Sequence, residues 1–122
     1  MYYAILYLTL VEEDEIRNRM LIRGILTEFE KMGFSIVEIV ISYEVKGDYL
    51  LFRETLLYAK RCKIDYVVSI CREMIHPKIR EVFNLLTEAR CQDITLITFL
   101  DGDLINNRSK FLQIEDSGVI HE

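Results

Sequence analysis

Cys71 and Arg72 stand side by side just past the apolar run 64–70, the place from which active-site residues of open α/β sheets usually project. A guanidinium next to a thiol favours the thiolate, the nucleophilic form of cysteine. No histidine is placed by the sequence to activate that thiol, and the phosphate-cradling glycines that a Cys-to-Arg loop needs between its two residues are missing. Cys71 is therefore expected to be buried and inert, since free cysteine is among the most buried residue types, and Cys62 and Cys91 are expected to be equally structural. His76 and His121 lie far apart with no HExxH or Cys/His cluster, which argues against a zinc site. His76, next to Pro77, suits a surface or capping position. No glycine-rich phosphate loop is present, so no cofactor is expected.

The elements that must position these residues follow from the spacing of apolar side chains. Residues 2–10 form a nearly continuous β-branched, aromatic and aliphatic run, as expected of a strand buried on both faces. Residues 12–31 open with acids that suit a helix N-terminus, place Ile22, Ile25, Leu26 and Phe29 on one stripe, and stop at Gly33. Gly24 falls inside that helix, where glycine costs about 1 kcal/mol, and predicts close packing by a neighbouring element. A second strand is predicted over 34–41, then a loop through Gly47 and Asp48, then a short helix over 50–61 carrying Phe52, Leu56 and Ala59. The third strand covers 64–70. Pro77 suits the first turn of the next helix, whose apolar side holds Ile79, Val82, Phe83 and Leu86, and a fourth strand covers 94–100.

Strands that alternate with helices, each too apolar to face water, imply an α/β fold: a three-layer sandwich around a mostly parallel sheet with right-handed crossovers. Four strands are expected, and the alternating stretch 111–115 offers a fifth. The α/β domain is assigned to 1–103 and a C-terminal tail to 104–122. The tail is polar through Asn106, Asn107, Arg108 and Ser109 and then carries Phe111, Leu112 and Ile114, which suit an edge strand or a docking segment.

Composition narrows the function. With 122 residues, 51% of them hydrophobic, the chain suits one core and is too small for a second. A net charge of −5 weighs against autonomous binding to DNA or an anionic membrane, because phosphate neutralisation needs excess Lys and Arg. The basic cluster Lys60, Arg61 and Lys63 and the series Arg17, Arg19 and Arg23 are offset by Glu28, Glu30 and the acids at 12–15, the pattern of a solvated charged face. Tyr2, Tyr3 and Tyr7 lie in the first strand and are expected in the core, not on a base-stacking platform. Three cysteines without CxxC spacing, no signal peptide and no long apolar span together suit a reducing cytoplasm.

Ala4-Ile5-Leu6-Tyr7 resembles the first strand of the resolvase/invertase family, the serine recombinase catalytic domains. Gly33-Phe34-Ser35-Ile36-Val37-Glu38, running on to Val45-Lys46-Gly47, resembles that family's second strand and following loop. Asp65-Tyr66-Val67-Val68 is similar to its third strand, and the helix over 79–89 followed by Ile94-Thr95-Leu96-Ile97 to its next helix and fourth strand. The resemblance spans 3–103 and lies mostly in apolar pattern, which many α/β domains share. It implies the strand order 2-1-3-4, which flavodoxin-like domains also have.

Carried over position by position, the resemblance implies an emptied active site. The family's first-strand arginine and nucleophilic serine fall on Thr9 and Val11, and its Asp-Arg pair beyond the third strand falls on Glu73 and Met74. A further arginine falls on Pro77, and Arg53 is the nearest counterpart of the arginine after the second strand. Transfer through a covalent phosphoserine needs a hydroxyl nucleophile and cations around the developing charge, and the hydrocarbon of Val11 cannot attack a phosphate. The expectation is a catalytically inactive relative acting through protein contacts, as a homo-oligomer or as a regulator of a partner, with Phe111, Leu112 and Ile114 at the interface. The alternative is a divergent recombinase or nuclease chemistry on a rearranged site of Thr9, Arg72 and Glu73.

The family's long helix and basic helix-turn-helix domain have no counterpart in 102–122, so DNA is expected only through a partner or a weak local patch, and no membrane is expected. Glu12, Glu13 and Asp14 resemble the acidic, metal-binding pocket of response-regulator receiver domains. A receiver's phosphate acceptor would end the third strand, where Ser69, Ile70 and Cys71 stand, so the acids are expected to be a solvated helix start and no metal site.

Overall fold

The structure, a computed structural model, describes residues 2–10, 15–43 and 50–103. In chain order the elements are β1 (Tyr2–Thr9), α1 (Glu15–Lys31), β2 (Phe34–Ser42), α2 (Leu50–Arg61), β3 (Tyr66–Ser69), α3 (Arg72–Ile75), α4 (Ile79–Cys91), β4 (Thr95–Thr98) and β5 (Gly102–Asp103). They build one sheet in the order β2-β1-β3-β4-β5. The first four strands are parallel, and β5 runs antiparallel to β4. The expected α/β class and 2-1-3-4 order are therefore observed. The fifth strand is Gly102–Asp103; the stretch 111–115, read as a further strand, lies outside the described residues.

β1 is central because its side chains are apolar in both directions. Ile5 and Tyr7 join Phe52, Leu56, Val82 and Leu96 in the cluster beneath α2 and α4. Ala4, Leu6 and Leu8 join Ile25, Phe29 and Val68 in the cluster beneath α1. The Tyr7 ring meets Phe52 edge-on with centroids 4.9 Å apart, a favourable aromatic geometry that fixes α2 on the sheet. Tyr2 and Tyr3 depart from the expected core placement, at 55% and 58% exposure. The cause is overhang: pairing of β1 with β3 begins only at Ala4, so the first two residues extend past their neighbour. The Tyr2 ring still meets Phe34 at a tilt and Tyr66 edge-on.

The edge strand β2 contains a bulge. Ala4 pairs with Ile36 and Ile5 with Glu38, which leaves Val37 as the extra residue. Ile36 and Ile41, five positions apart, can thus both pack on the α1 side, which strict alternation would forbid. As an edge, β2 leaves Val37 and Ile39 exposed, so full coverage of every strand is not realised.

The strands β3 and β4 are shorter than their apolar runs because helix caps claim the first residues. Lys63 and Asp93 both take φ +57°, and the N–H groups of Ile64 and Ile94 donate to the carbonyls of Ala59 and Ala89 at 2.8 and 2.9 Å. Each is a left-handed helix stop that draws the following isoleucine out of the ladder. Gly33 ends α1 similarly at φ +93°, and its carbonyl accepts the Tyr2 N–H at 3.0 Å, tying the helix end to the start of β1.

Three further expectations are corrected. A Cβ at Gly24 would meet nothing within 4 Å, so this glycine marks no close packing; it lies on the outward side of α1, opposite Ile25 and Phe29. Lys78 is the N-cap of α4, which puts Pro77 before the helix and not in its first turn. Cys62 and Cys91 are exposed because they stand at helix ends where the chain turns back to the sheet. Among the described residues no helix is long and apolar enough to cross a membrane.

Candidate functional site

The carboxyl ends of β1, β3 and β4 converge where open α/β sheets usually carry their chemistry. Thr9 closes β1, and its hydroxyl donates to the Met74 carbonyl of α3 at 2.7 Å. Ser69 closes β3, fully buried, and donates to the Tyr7 carbonyl at 2.6 Å. The short helix α3 thus lies across the end of β1, an element the apolar pattern does not announce because it is a single turn.

α3 is capped from a distance. Its N-cap residue, Cys71, makes no side-chain cap bond. Asp101, in the turn after β4, supplies the acceptor instead: its Oδ2 receives the Arg72 backbone N–H at 3.3 Å and the Thr98 hydroxyl at 3.2 Å. The Asp101 N–H donates back to Thr98 Oγ1 at 2.9 Å. Sequence reasoning missed Asp101. The Thr98-x-x-Asp101 spacing was a signal of the local turn, but nothing local points to an acceptor 29 residues from its helix.

The electrostatics of the cluster are self-neutralising. Arg72, with 18% of its side chain exposed, holds Nε 3.1 Å from Glu73 Oε1. Burial and a hydrogen bond to Glu73 push the Cys71 thiol above its usual range, against the lowering expected from Arg72, so the thiol stays protonated near neutral pH. Cys71 is half-buried, less enclosed than its sequence context suggests. His76 is 8% exposed, a core position and not a surface one, and its Nδ1 accepts the Lys78 N–H at 2.9 Å, the capping role that the sequence allows. Burial lowers its pKa and keeps the ring neutral, with Nδ1 as acceptor.

Of the residues nominated from sequence, Thr9, Arg72 and Glu73 come to this one end of the sheet. Arg53 does not serve it: its Nε lies 3.1 and 3.0 Å from the two carboxylate oxygens of Glu88 on α4. Met74 packs against the α1-side core. Val11, Glu12, Glu13 and Asp14, and the tail residues Phe111, Leu112 and Ile114, lie outside the described residues. As arranged, the Thr9 hydroxyl and the Asp101 carboxylate tie α3 to the ends of β1 and β4, and the Arg72 guanidinium pairs within α3.

Comparison with known proteins places the fold. No protein-family model matches the sequence, and no curated protein does. Among solved structures, a resolvase family site-specific recombinase from Streptococcus pneumoniae superposes with a TM-score of 0.68 at 17% identity, over 98% of this chain and 91% of that one. The N-terminal catalytic domain of TP901-1 integrase gives 0.65 at 17% identity, over 94% and 92%. The C-terminal catalytic domain of ISC1926 TnpA, an IS607-like serine recombinase, gives 0.64 at 10% identity, over 80% and 67%. The chain has the fold of a serine recombinase catalytic domain, as the resemblance implied.

Proposed function

We propose that this chain is a serine-recombinase-like domain without strand-transfer chemistry of its own, working in the cytoplasm through protein contacts. The observation that carries this is Thr9: the hydroxyl that closes β1 spends its proton on a main-chain carbonyl, where a nucleophile would have to give it to a base. Its surroundings add a guanidinium already paired with Glu73, the Asp101 carboxylate, and a thiol held protonated. A phosphoryl-transfer site needs the opposite balance, cations facing the place where negative charge develops. The positions matching the family's nucleophile and arginines hold Val11, Thr9, Met74 and Pro77. Contacts are made as a homo-oligomer or with a regulated partner, through Phe111, Leu112 and Ile114 of the tail or through the folded surface, and DNA is reached through that partner.

The test is topological. Purified protein incubated with supercoiled plasmid is expected to leave it unrelaxed and uncut, while its solution mass, measured alone and with DNA at low and moderate salt, exceeds that of one chain and ignores DNA. Relaxed or linear plasmid, or a salt-sensitive DNA complex, would overturn the proposal. A second reading, a rearranged phosphoryl-transfer site, is favoured by the meeting of Thr9, Arg72 and Glu73 at one sheet end; under it Arg72→Ala abolishes cleavage and leaves folding intact.

A further inference from the structure

We propose that the outer face of α2 is a self-interface through which two copies of this chain pack about a twofold axis, a step that rests on the contact-making role proposed above. α2 is apolar on two sides. Its inner side, Phe52, Thr55, Leu56 and Ala59, is buried against the sheet. Its outer side carries Leu50 at 55% and Leu57 at 52% exposure, with Leu51 and Tyr58 exposed on one flank. A helix on the surface of a monomeric domain needs one apolar stripe, and a second stripe in water is the mark of a covered surface.

The spacing of the outer stripe says what covers it. Leu50, Glu54, Leu57 and Arg61 stand at i, i+4, i+7 and i+11, the seam along which two helices pack. Glu54 lies three residues before Leu57, and Lys60 and Arg61 lie three and four after it. A twofold axis through Leu57 with the helices antiparallel therefore sets each Glu54 level with Lys60 and Arg61 of the second copy, while the two Leu57 side chains meet on the axis. None of these three charged residues is in an ion pair among the described residues. The pattern is self-complementary, acid against base on both sides of one axis, which selects a second copy over an unrelated apolar partner.

Shape agrees with charge. α2 forms a ridge between two grooves, one toward α4 whose walls include Leu56, Leu57 and Cys91, and one toward β2 where Val40, Leu51 and Tyr58 stand among the charged Glu38, Glu54 and Arg61. The Arg53–Glu88 ion pair neutralises the groove on the α4 side, which leaves apolar walls for the neighbouring ridge to enter.

The test is the solution mass of the full chain across a dilution series. The wild type is expected to be a dimer, Glu54→Lys to weaken the dimer about tenfold or more by facing like charges, and Glu54→Lys/Lys60→Glu/Arg61→Glu to restore it. Leu57→Asp is expected to give monomer, and unchanged circular dichroism melts confirm that each exposed substitution spares the fold. A wild type that is monomeric at every concentration overturns the proposal. So does a dimer indifferent to Glu54→Lys and Leu57→Asp, or a triple variant that folds and fails to reassociate. A dimer that survives Leu57→Asp leaves the contact-making role standing with its surface elsewhere, whereas plasmid cleavage would remove that role whatever the mass.

Discussion

The carboxyl end of the sheet and the outer face of α2 use their side chains in opposite ways. At the strand ends the polar groups are consumed within the chain: Thr9 on Met74, Ser69 on Tyr7, Arg72 on Glu73, and Asp101 on α3 and Thr98. On the outer face of α2, Leu50 and Leu57 are about half exposed, and Glu54, Lys60 and Arg61 form no ion pair among the described residues. A place where this architecture can carry chemistry is occupied by structure, while a helix that needs only one apolar side has two. The contrast separates polar groups satisfied within the fold from an apolar helix face that the proposed self-contact would cover.

Substitutions that probe the two regions should separate them by size. Phe52→Ala, on the buried side of α2 and against the Tyr7 ring, is expected to cost about 3–5 kcal/mol in urea unfolding, enough to test whether the domain folds at all. Asp101→Ala removes the acceptor of the Arg72 N–H and the Thr98 hydroxyl and is expected to cost about 1–3 kcal/mol; a neutral result would mean that α3 is not held from β4. Thr9→Val deletes one bond to the Met74 carbonyl and should cost about 1 kcal/mol in the same assay.

A smaller effect is pH-dependent. Because burial lowers the His76 pKa, the unfolded chain takes up a proton near pH 6.5 that the folded chain refuses. Its stabilising contribution is complete above that value and declines as the pH falls below it, down to the folded pKa. Melting temperature followed from about pH 7.5 to about pH 5.5 should fall less steeply for His76→Asn, whose amide oxygen can accept the Lys78 N–H without titrating. The smallest effect is expected on the outer face of α2, where Leu57→Ser should change the stability of the dilute chain by no more than about 0.5 kcal/mol.

How far the molecule was legible in its sequence depends on the range of the interaction. The strands and long helices were readable because burial on both faces demands unbroken apolar runs, as in β1, and one-sided burial demands stripes, as with Ile25 and Phe29. Their edges were not, because the capping bonds of Ile64 and Ile94 compete with the ladder for the same N–H groups. Tyr2 and Tyr3 looked like core residues since nothing in a strand's own sequence says where its neighbour begins. At the strand ends, Thr9, Arg72 and Glu73 could be nominated through the family resemblance, but the bonds from Thr9 to Met74 and from the Arg72 N–H to Asp101 depend on segments that only the sheet brings together. The second apolar side of α2 was in the sequence throughout, as Leu50 and Leu57 seven residues apart, and passed unnoticed because a stripe facing outward looks like any other until burial is known.

The proposed function requires that this chain perform no strand transfer. Its most direct test is to incubate the protein with DNA, stop the mixture with denaturant, and search by mass spectrometry for a nucleotide covalently joined to the chain. No adduct is expected, for the wild type or for Thr9→Val alike. An adduct on the Thr9 hydroxyl, or on any residue at the carboxyl ends of the strands, would contradict the account.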